Sequence, residues 1–225
     1  MNRDDGPRSD WMQTYTGRAF YPLEPAAADI DPVDIAHALS LLCRYGGHVD
    51  RFYSVAEHCV LMSHAVAPEN ALWALLHDAT EAYMGDLIRP LKLAMPAYRE
   101  AEDRLMAAIC DRFGIDPACP AEVKTADNRI LRDERDELMM RPPLPWASIE
   151  DVPALGVRVQ GWDPLTAKRA YLARLAELAE IRTAGGTLTI GPVREEKDDG
   201  WAAFGAAVDD VVRPAFLDGG AGNHV

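Results

Sequence analysis

An adjacent histidine and aspartate, His77 and Asp78, lie within an apolar-rich stretch that extends from Ala71 to Tyr83. This stretch has no glycine or proline and is rich in alanine and leucine, so it predicts a helix that begins after Pro68. Imidazole and carboxylate groups are costly to bury unless a partner compensates them, and a divalent metal ion is a common partner. The sequence therefore predicts a helical core that contains a metal site.

Two other predicted helices supply candidate ligands for such a site. Ser54 suits a helix N-cap, with Glu57 three residues later in the pattern of a capping box and His58 following at once. A helix from about 120 to 140 carries Asp127 beside an apolar face. Two histidines and two aspartates suit a divalent ion of the Mn, Co, Zn or Fe type, with coordination positions left for water and substrate.

The order of these motifs along the chain is more specific than any one of them. From Glu57 to Asp127 the sequence contains, in this order, E-H, H-D-A-x-E, G-D-L and A-D. This joined pattern resembles the HD-domain metal-dependent phosphohydrolases, and among them the branch that holds bacterial 5'-deoxynucleotidases and phage dATP triphosphohydrolases. The resemblance covers about residues 12–182. It implies an all-α fold, a helical bundle with the metal site between core helices.

The resemblance also assigns the metal ligands and a catalytic carboxylate. By position, it makes His58, His77, Asp78 and Asp127 the ligands of one divalent ion. Glu81 follows Asp78 by three residues on the same predicted helix face, so its carboxylate is placed to hold or deprotonate the attacking water.

Other residues match positions of that branch near its substrate. Asp86 matches a second acidic residue that is implied to assist proton transfer to the leaving sugar oxygen, and Arg44 matches a phosphate-binding arginine. Tyr45 stands where those enzymes have a tryptophan beside the deoxyribose, which leaves sugar discrimination open. His48 follows the pair Gly46–Gly47 and is either a substrate contact or an ordinary loop histidine.

The activity implied by the resemblance is hydrolysis of a small-molecule nucleotide in one step, without a covalent intermediate. One open choice is a 5'-nucleotidase that releases phosphate from a monophosphate, and another is a dNTP triphosphohydrolase that releases triphosphate. The modest supply of basic residues near the motif favours the monophosphate. These residues are Arg44, Arg51, Arg89 and Lys92.

A third alternative is a non-catalytic nucleotide sensor that keeps the metal for structure. Glu81 and Asp86 argue against it, because a structural metal site would not require them.

Composition excludes several other classes of function. The net charge of -13, with no basic cluster to offset it, argues against binding of polymeric nucleic acid. The four cysteines form no CxxC pair, so a reducing compartment fits better than a disulfide framework, and Cys59 is expected to be a buried thiol. No apolar signal segment or membrane-spanning run is found, so we expect a cytoplasmic protein without a membrane partner.

The chain organisation follows from composition and helical periodicity. We expect a polar leader over 1–11, one phosphohydrolase domain over 12–183, and an acidic, glycine-rich flexible tail over 184–225. Residues 141–163 are rich in proline and predict a covering loop. The resemblance implies a homodimer, with the apolar face of the helix over 97–113 as the interface. Further helices are predicted over 34–43, 97–113 and 164–183.

Overall fold

A computed structural model describes residues 10–147 and 149–183 of the chain. Within these ranges α-helices dominate, and one small two-stranded sheet accompanies them, which confirms the all-α prediction. The predicted tail over 184–225 and nearly all of the leader over 1–11 lie outside the described residues.

The helices agree with the predicted ones to within a few residues at most ends. Strands β1 (Met12–Gln13) and β2 (Ala19–Phe20) pair antiparallel near the start of the described chain. Among the described helices, none combines the length and the apolar character needed to cross a bilayer. The helices are α1 (Pro32–Leu41), α2 (Val55–Ala65), α3 (Ala71–Leu76), α4 (Glu81–Met84), α5 (Arg89–Ala94), α6 (Pro96–Phe113), α7 (Ala121–Leu138) and α8 (Pro164–Thr183).

Helix ends follow the local chemistry that the sequence predicts. The Ser54 side chain caps α2 by accepting a hydrogen bond from the backbone N–H of Glu57 at 3.1 Å. The Asp163 carboxylate accepts one from the N–H of Leu165 at 3.0 Å, at the start of α8. Gly114 ends α6 in the left-handed conformation, with φ of 61°. These three predicted boundaries are confirmed.

The prediction of one continuous helix from 69 to 83 is wrong. Helix α3 ends at Leu76, and α4 begins only at Glu81. In between, backbone hydrogen bonds join residues three apart instead of the four apart of an α-helix. The Ala79 N–H donates to the Leu76 carbonyl at 2.9 Å, and the Glu81 N–H donates to the Asp78 carbonyl at 3.0 Å. Such 3₁₀-type stretches inside a helical region often mark functional positions. Here the stretch contains His77 and Asp78.

Helix α2 lies at the centre of the bundle. It contacts α1, α3, α7 and α8, and every residue from Val55 to Ser63 is buried. Glu57 and His58 lie within this buried segment, and both are fully inaccessible to solvent. Because buried polar groups require partners, the contacts of these two side chains determine much of what packs around α2.

The apolar face of α6 is used within the chain itself. Leu105, Ile109 and Phe113 are all buried in the main hydrophobic core, together with residues of α1, α3 and α8. The predicted use of this face as a dimer interface therefore conflicts with the fold, because these side chains already pack against their own chain. A homodimer through another surface stays a prediction.

Glu57 holds residues 160–162, the end of the predicted covering loop and here called the covering segment, against α2. Its Oε1 accepts hydrogen bonds from the backbone N–H groups of Gln160 at 2.6 Å and Gly161 at 3.0 Å, and its Oε2 accepts one from Trp162 at 2.7 Å. The carboxylate thus ties the chain before α8 to the first turn of α2, rather than completing the capping box with Ser54.

Replacement of Glu57 by alanine should destabilise the protein by about 3 kcal/mol, because buried backbone donors lose a charged acceptor. Glu57→Gln keeps one acceptor oxygen and should cost less. Urea unfolding followed by circular dichroism measures both changes. Glu69→Gln, at an exposed position, serves as the matched control. Unchanged stability of Glu57→Ala would show that this anchor contributes little.

Candidate metal centre

The four predicted metal ligands converge on one point between three parts of the chain. The Nε2 atoms of His58, on α2, and His77, after α3, lie 3.1 Å apart. Asp78 Oδ2 lies 3.2 Å from His77 Nε2 and 3.6 Å from His58 Nε2. Asp127 Oδ1, on α7, lies 3.6 Å from His58 Nε2 and 3.9 Å from His77 Nε2. The structure therefore brings together residues that are far apart in sequence.

The far side of each imidazole determines which atom faces this point. His58 Nδ1 lies 2.6 Å from Glu134 Oε1, and His77 Nδ1 lies 2.7 Å from the carbonyl oxygen of Ala74. Carboxylate and carbonyl oxygens only accept, so both Nδ1 atoms carry hydrogen and both Nε2 atoms face inward, each with a lone pair when its imidazole is neutral. Lone pairs and carboxylate oxygens then face one another. Either an extra proton on an imidazole or a bound cation relieves their repulsion.

The electrostatics of the cluster favour positive charge. Burial lowers the pKa of His77, but the Asp78 carboxylate outweighs burial and holds this pKa well above its ordinary value. Burial raises the pKa of Asp78, but His77, His58 and Arg44 outweigh it, so the pKa of Asp78 falls well below its usual range. A divalent cation would meet the same electrostatic demand. The ligand atoms of His58, His77 and Asp127 lie close enough together to hold one ion, so the cluster is compatible with a metal ion.

A second grouping, Cys59 with His77 and Asp78, is less suited to a metal. Cys59 Sγ lies 3.9 Å from His77 Nδ1, the nitrogen that already faces the Ala74 carbonyl. Burial raises the pKa of the Cys59 thiol to about 11, which disfavours the thiolate that metals bind. Cys59 is fully buried, as the sequence predicts for a structural thiol.

Glu134 is the residue of this site that sequence reasoning missed. Its side chain is 0% exposed, and it lies beneath His58. Its carboxylate accepts hydrogen bonds from Arg44 Nη2 at 3.2 Å, from the Tyr53 hydroxyl at 2.8 Å and from the Tyr45 hydroxyl. Burial raises the pKa of Glu134, but Arg44 and His58 outweigh it and bring the pKa to about 2. Glu134 is therefore ionised.

A sequence signal for Glu134 does exist. It lies four residues after Ile130 and four before Leu138, on the buried face of α7 that also includes Val123 and Ala126. A carboxylate at an apolar position of a helical stripe indicates a buried partner. The sequence does not indicate which partners those are.

The turn that carries Arg44 and Tyr45 lies against Asp78, one of the predicted metal ligands. The Arg44 guanidinium is buried, and its Nη1 donates to Asp78 Oδ2 at 3.3 Å. Its buried Nε has no hydrogen-bond partner among the described residues. Tyr45 has a left-handed φ of 57°, an uncommon conformation for a residue other than glycine that recurs at functional sites. Contact of these residues with a substrate stays a prediction.

Glu81 and Asp86 are close enough to the cluster to interact with its charges. Glu81 is 8% exposed, and its buried Oε2 has no hydrogen-bond partner within the described residues. Burial, then Asp78 and Asp86, raise the pKa of Glu81 well above its ordinary value. Burial also raises the pKa of Asp86, against the opposing charge of Arg44. Perturbed carboxylates of this kind are frequent at functional sites.

His48 stands apart from this arrangement. It is exposed, and its backbone N–H donates to the Tyr45 carbonyl at 3.2 Å. For the described part of the chain, its ring shows no hydrogen bond or ion pair. Its role as a substrate contact stays a prediction.

A cleft of about 220 Å³ opens beside the cluster, between α3, α6 and α7. Lys92 and Lys124 contribute positive charge to its wall, and Glu102 and Asp103 contribute negative charge. Lys92 is paired with Glu102 at 2.5 Å. The remaining lining residues are His77, Asp78, Asp127, Trp73, Thr80, Met106, Cys119 and Val123.

Comparison with known proteins identifies relatives of the chain. It is 38% identical over 175 residues to the uncharacterized protein YfdR of Escherichia coli K12, and the alignment covers 76% of this chain and 97% of YfdR. The chain belongs to the YfdR family. An uncharacterized protein of Rhodobacter capsulatus is 41% identical over 126 residues, which span 52% of this chain and 64% of that protein. No family model matches the chain.

In this YfdR-family protein, His77→Ala should abolish tight binding of Mn, Co or Zn, because it removes one inward-facing Nε2. Metal content after gel filtration and the thermal shift on metal addition measure the loss. At a metal concentration 100 times Kd, the wild type should gain about 2.7 kcal/mol of stability. His64→Ala, on α2 but outside the cluster, is the control. Equal metal content in His77→Ala and wild type would contradict the assignment.

Proposed function

We propose that this protein is a metal-dependent phosphohydrolase of the HD-domain type that converts a nucleoside or deoxynucleoside 5'-monophosphate to the nucleoside and phosphate. The observation that carries the proposal is the convergence of His58, His77, Asp78 and Asp127 on one point. Glu81 supports it, because its Oε2 has no hydrogen-bond partner among the described residues and a catalytic carboxylate needs capacity to bind water.

The four ligands suit a borderline or hard divalent ion of the Mn, Co, Zn or Fe type. When bound, such an ion polarises a phosphoryl oxygen and lowers the pKa of water. The protein groups behind the ligands support this assignment, because Glu134 and the Ala74 carbonyl orient both imidazoles for binding through Nε2.

In this proposal Glu81 is the general base and Asp86 is the general acid. Glu81 holds the attacking water and accepts its proton, a role for which its carboxylate lies beside the candidate ligand Asp78, three residues earlier in the chain. Asp86, whose pKa is raised by burial, delivers a proton to the leaving sugar oxygen. Hydrolysis then proceeds in one displacement, in which water attacks phosphorus and the bond to the sugar oxygen breaks.

Arg44 carries the positive charge proposed to bind the phosphoryl group. Guanidinium has five N–H donors in a fixed plane, and only Nη1 and Nη2 are directed at Asp78 and Glu134. Arg44 would offset negative charge as the transition state forms.

The charge around the cleft favours a monophosphate over a triphosphate. Glu102 and Asp103 face the same cleft as Lys92 and Lys124, so the wall offers little excess positive charge for a longer phosphate chain. Arg51, one of the basic residues near the motif, pairs instead with Asp50 and Glu137. A triphosphate would therefore lack compensating charge beyond its first phosphate.

Product analysis tests the reaction directly. The metal-stripped protein is incubated with dAMP or dATP, with Mn, Co, Zn or no metal, and the products are separated by anion exchange. We expect inorganic phosphate from dAMP only when metal is present. Tripolyphosphate from dATP would instead establish a triphosphohydrolase. Metal binding without turnover of either nucleotide would favour a non-catalytic nucleotide sensor.

Glu81→Gln should lower turnover by at least about 100-fold, because the amide cannot accept the proton of water. Its metal content should equal that of the wild type. Phosphate release and metal analysis on the same preparation measure both properties. Glu100→Gln, an exposed position on α6, is the matched control. Turnover of Glu81→Gln at the wild-type rate would refute the general-base role.

A further inference from the structure

We propose that Glu134 is a positioning residue that orients the metal ligand His58 and the Arg44–Tyr45 turn through a single buried carboxylate. This inference rests on the metal site of the proposed function and deepens it. Glu134 itself makes no contact with substrate in this proposal. It acts through the side chains that it holds.

The hydrogen-bonding capacity of Glu134 is fully used. Oε1 accepts from His58 Nδ1 at 2.6 Å and from the Tyr53 hydroxyl at 2.8 Å. Oε2 accepts from Arg44 Nη2 at 3.2 Å and from the Tyr45 hydroxyl. A carboxylate offers about four lone-pair sites, so no site remains for a metal ion or a substrate. This saturation distinguishes Glu134 from the ligand carboxylates.

The contact with His58 determines how this imidazole binds metal. Because the carboxylate only accepts, His58 carries its hydrogen on Nδ1 and presents Nε2 to His77, Asp78 and Asp127. The bond also limits rotation of the ring. Without the carboxylate, the His58 hydrogen could move from Nδ1 to Nε2, and the ring could rotate away from the other candidate ligands.

Through Arg44, Glu134 also acts on a second candidate ligand, Asp78. Arg44 uses Nη2 on Glu134 and Nη1 on Asp78, so it bridges the buried carboxylate and the ligand carboxylate. The adjacent Tyr45, held in a left-handed conformation, binds the same oxygen of Glu134. One residue on α7 thus supports ligands from α2 and from the turn after α3.

Glutamine at position 134 would keep the shape of the side chain but would replace one of the two accepting oxygens with a donating nitrogen. Its amide has one accepting oxygen and one donating nitrogen, whereas all four neighbours donate. In either amide orientation, the nitrogen faces the N–H of His58 or of Arg44, a donor that cannot accept from it, and only the neighbouring tyrosine hydroxyl can turn to accept. Glu134→Gln should therefore disturb the metal site with little change in side-chain volume.

The test measures metal affinity without any nucleotide. Zinc and cobalt affinities of Glu134→Gln are determined by competition with a chromogenic chelator, and the visible spectrum of bound cobalt reports ligand geometry. We expect affinity about 10- to 100-fold weaker than wild type and an altered cobalt spectrum. Asp136→Asn, an exposed carboxylate on the same helix, should change neither. Tyr53→Phe removes one donor and should weaken binding less than Glu134→Gln.

Two outcomes would overturn the proposal. One is wild-type affinity with an unchanged cobalt spectrum in Glu134→Gln. The other, which does not depend on how the variant folds, is a His58 imidazole that carries hydrogen on Nε2 rather than Nδ1 in metal-free wild type, read from a long-range nitrogen–proton NMR spectrum. A wild type that binds metal but hydrolyses no nucleotide would contradict the proposed reaction alone and leave the role of Glu134 intact.

Discussion

The buried carboxylate of Glu134 is the interaction on which the rest of the site depends. An ionised side chain that is 0% exposed is tolerated only when charged or polar partners surround it. Its donors come from the turn at Arg44, from Tyr53 and from α2, so satisfying one charge constrains several segments at once. Asp127 lies seven residues earlier on the same helix, about two turns away, and is thereby placed opposite His58.

The central position of α2 explains why polar chemistry occurs inside an apolar bundle. This helix contacts α1, α3, α7 and α8, and it carries two fully buried polar residues in adjacent positions. Glu57 binds backbone donors of the covering segment, whereas His58 faces the candidate ligands His77, Asp78 and Asp127. Adjacent helical residues point in directions about 100° apart, so one buried turn can hold the segment before α8 with one side chain and present the next to the candidate metal centre.

Because the protein as a whole is strongly negative, binding of an anionic substrate depends on the positive groups at the site. A chain with a net charge of -13 repels anionic substrates at long range, so an anion must be attracted by groups at the site itself. Arg44 is partly neutralised by Asp78 and Glu134, and Lys92 by Glu102. In the proposed reaction, the metal ion therefore supplies much of the positive charge that a phosphoryl group requires.

The sequence by itself determined most helix boundaries, because caps, prolines and apolar periodicity act over a few residues. Its motif order also singled out the four candidate ligands that the fold brings together. It correctly placed the cap at Ser54 and the start of α8 at residue 164. It did not reveal the break after Leu76, since local propensity favours an uninterrupted helix there. Only the tertiary structure decided how buried charges pair. Glu134 meets His58 across 76 positions and Arg44 across 90, and such contacts depend on helix packing, which no local pattern encodes.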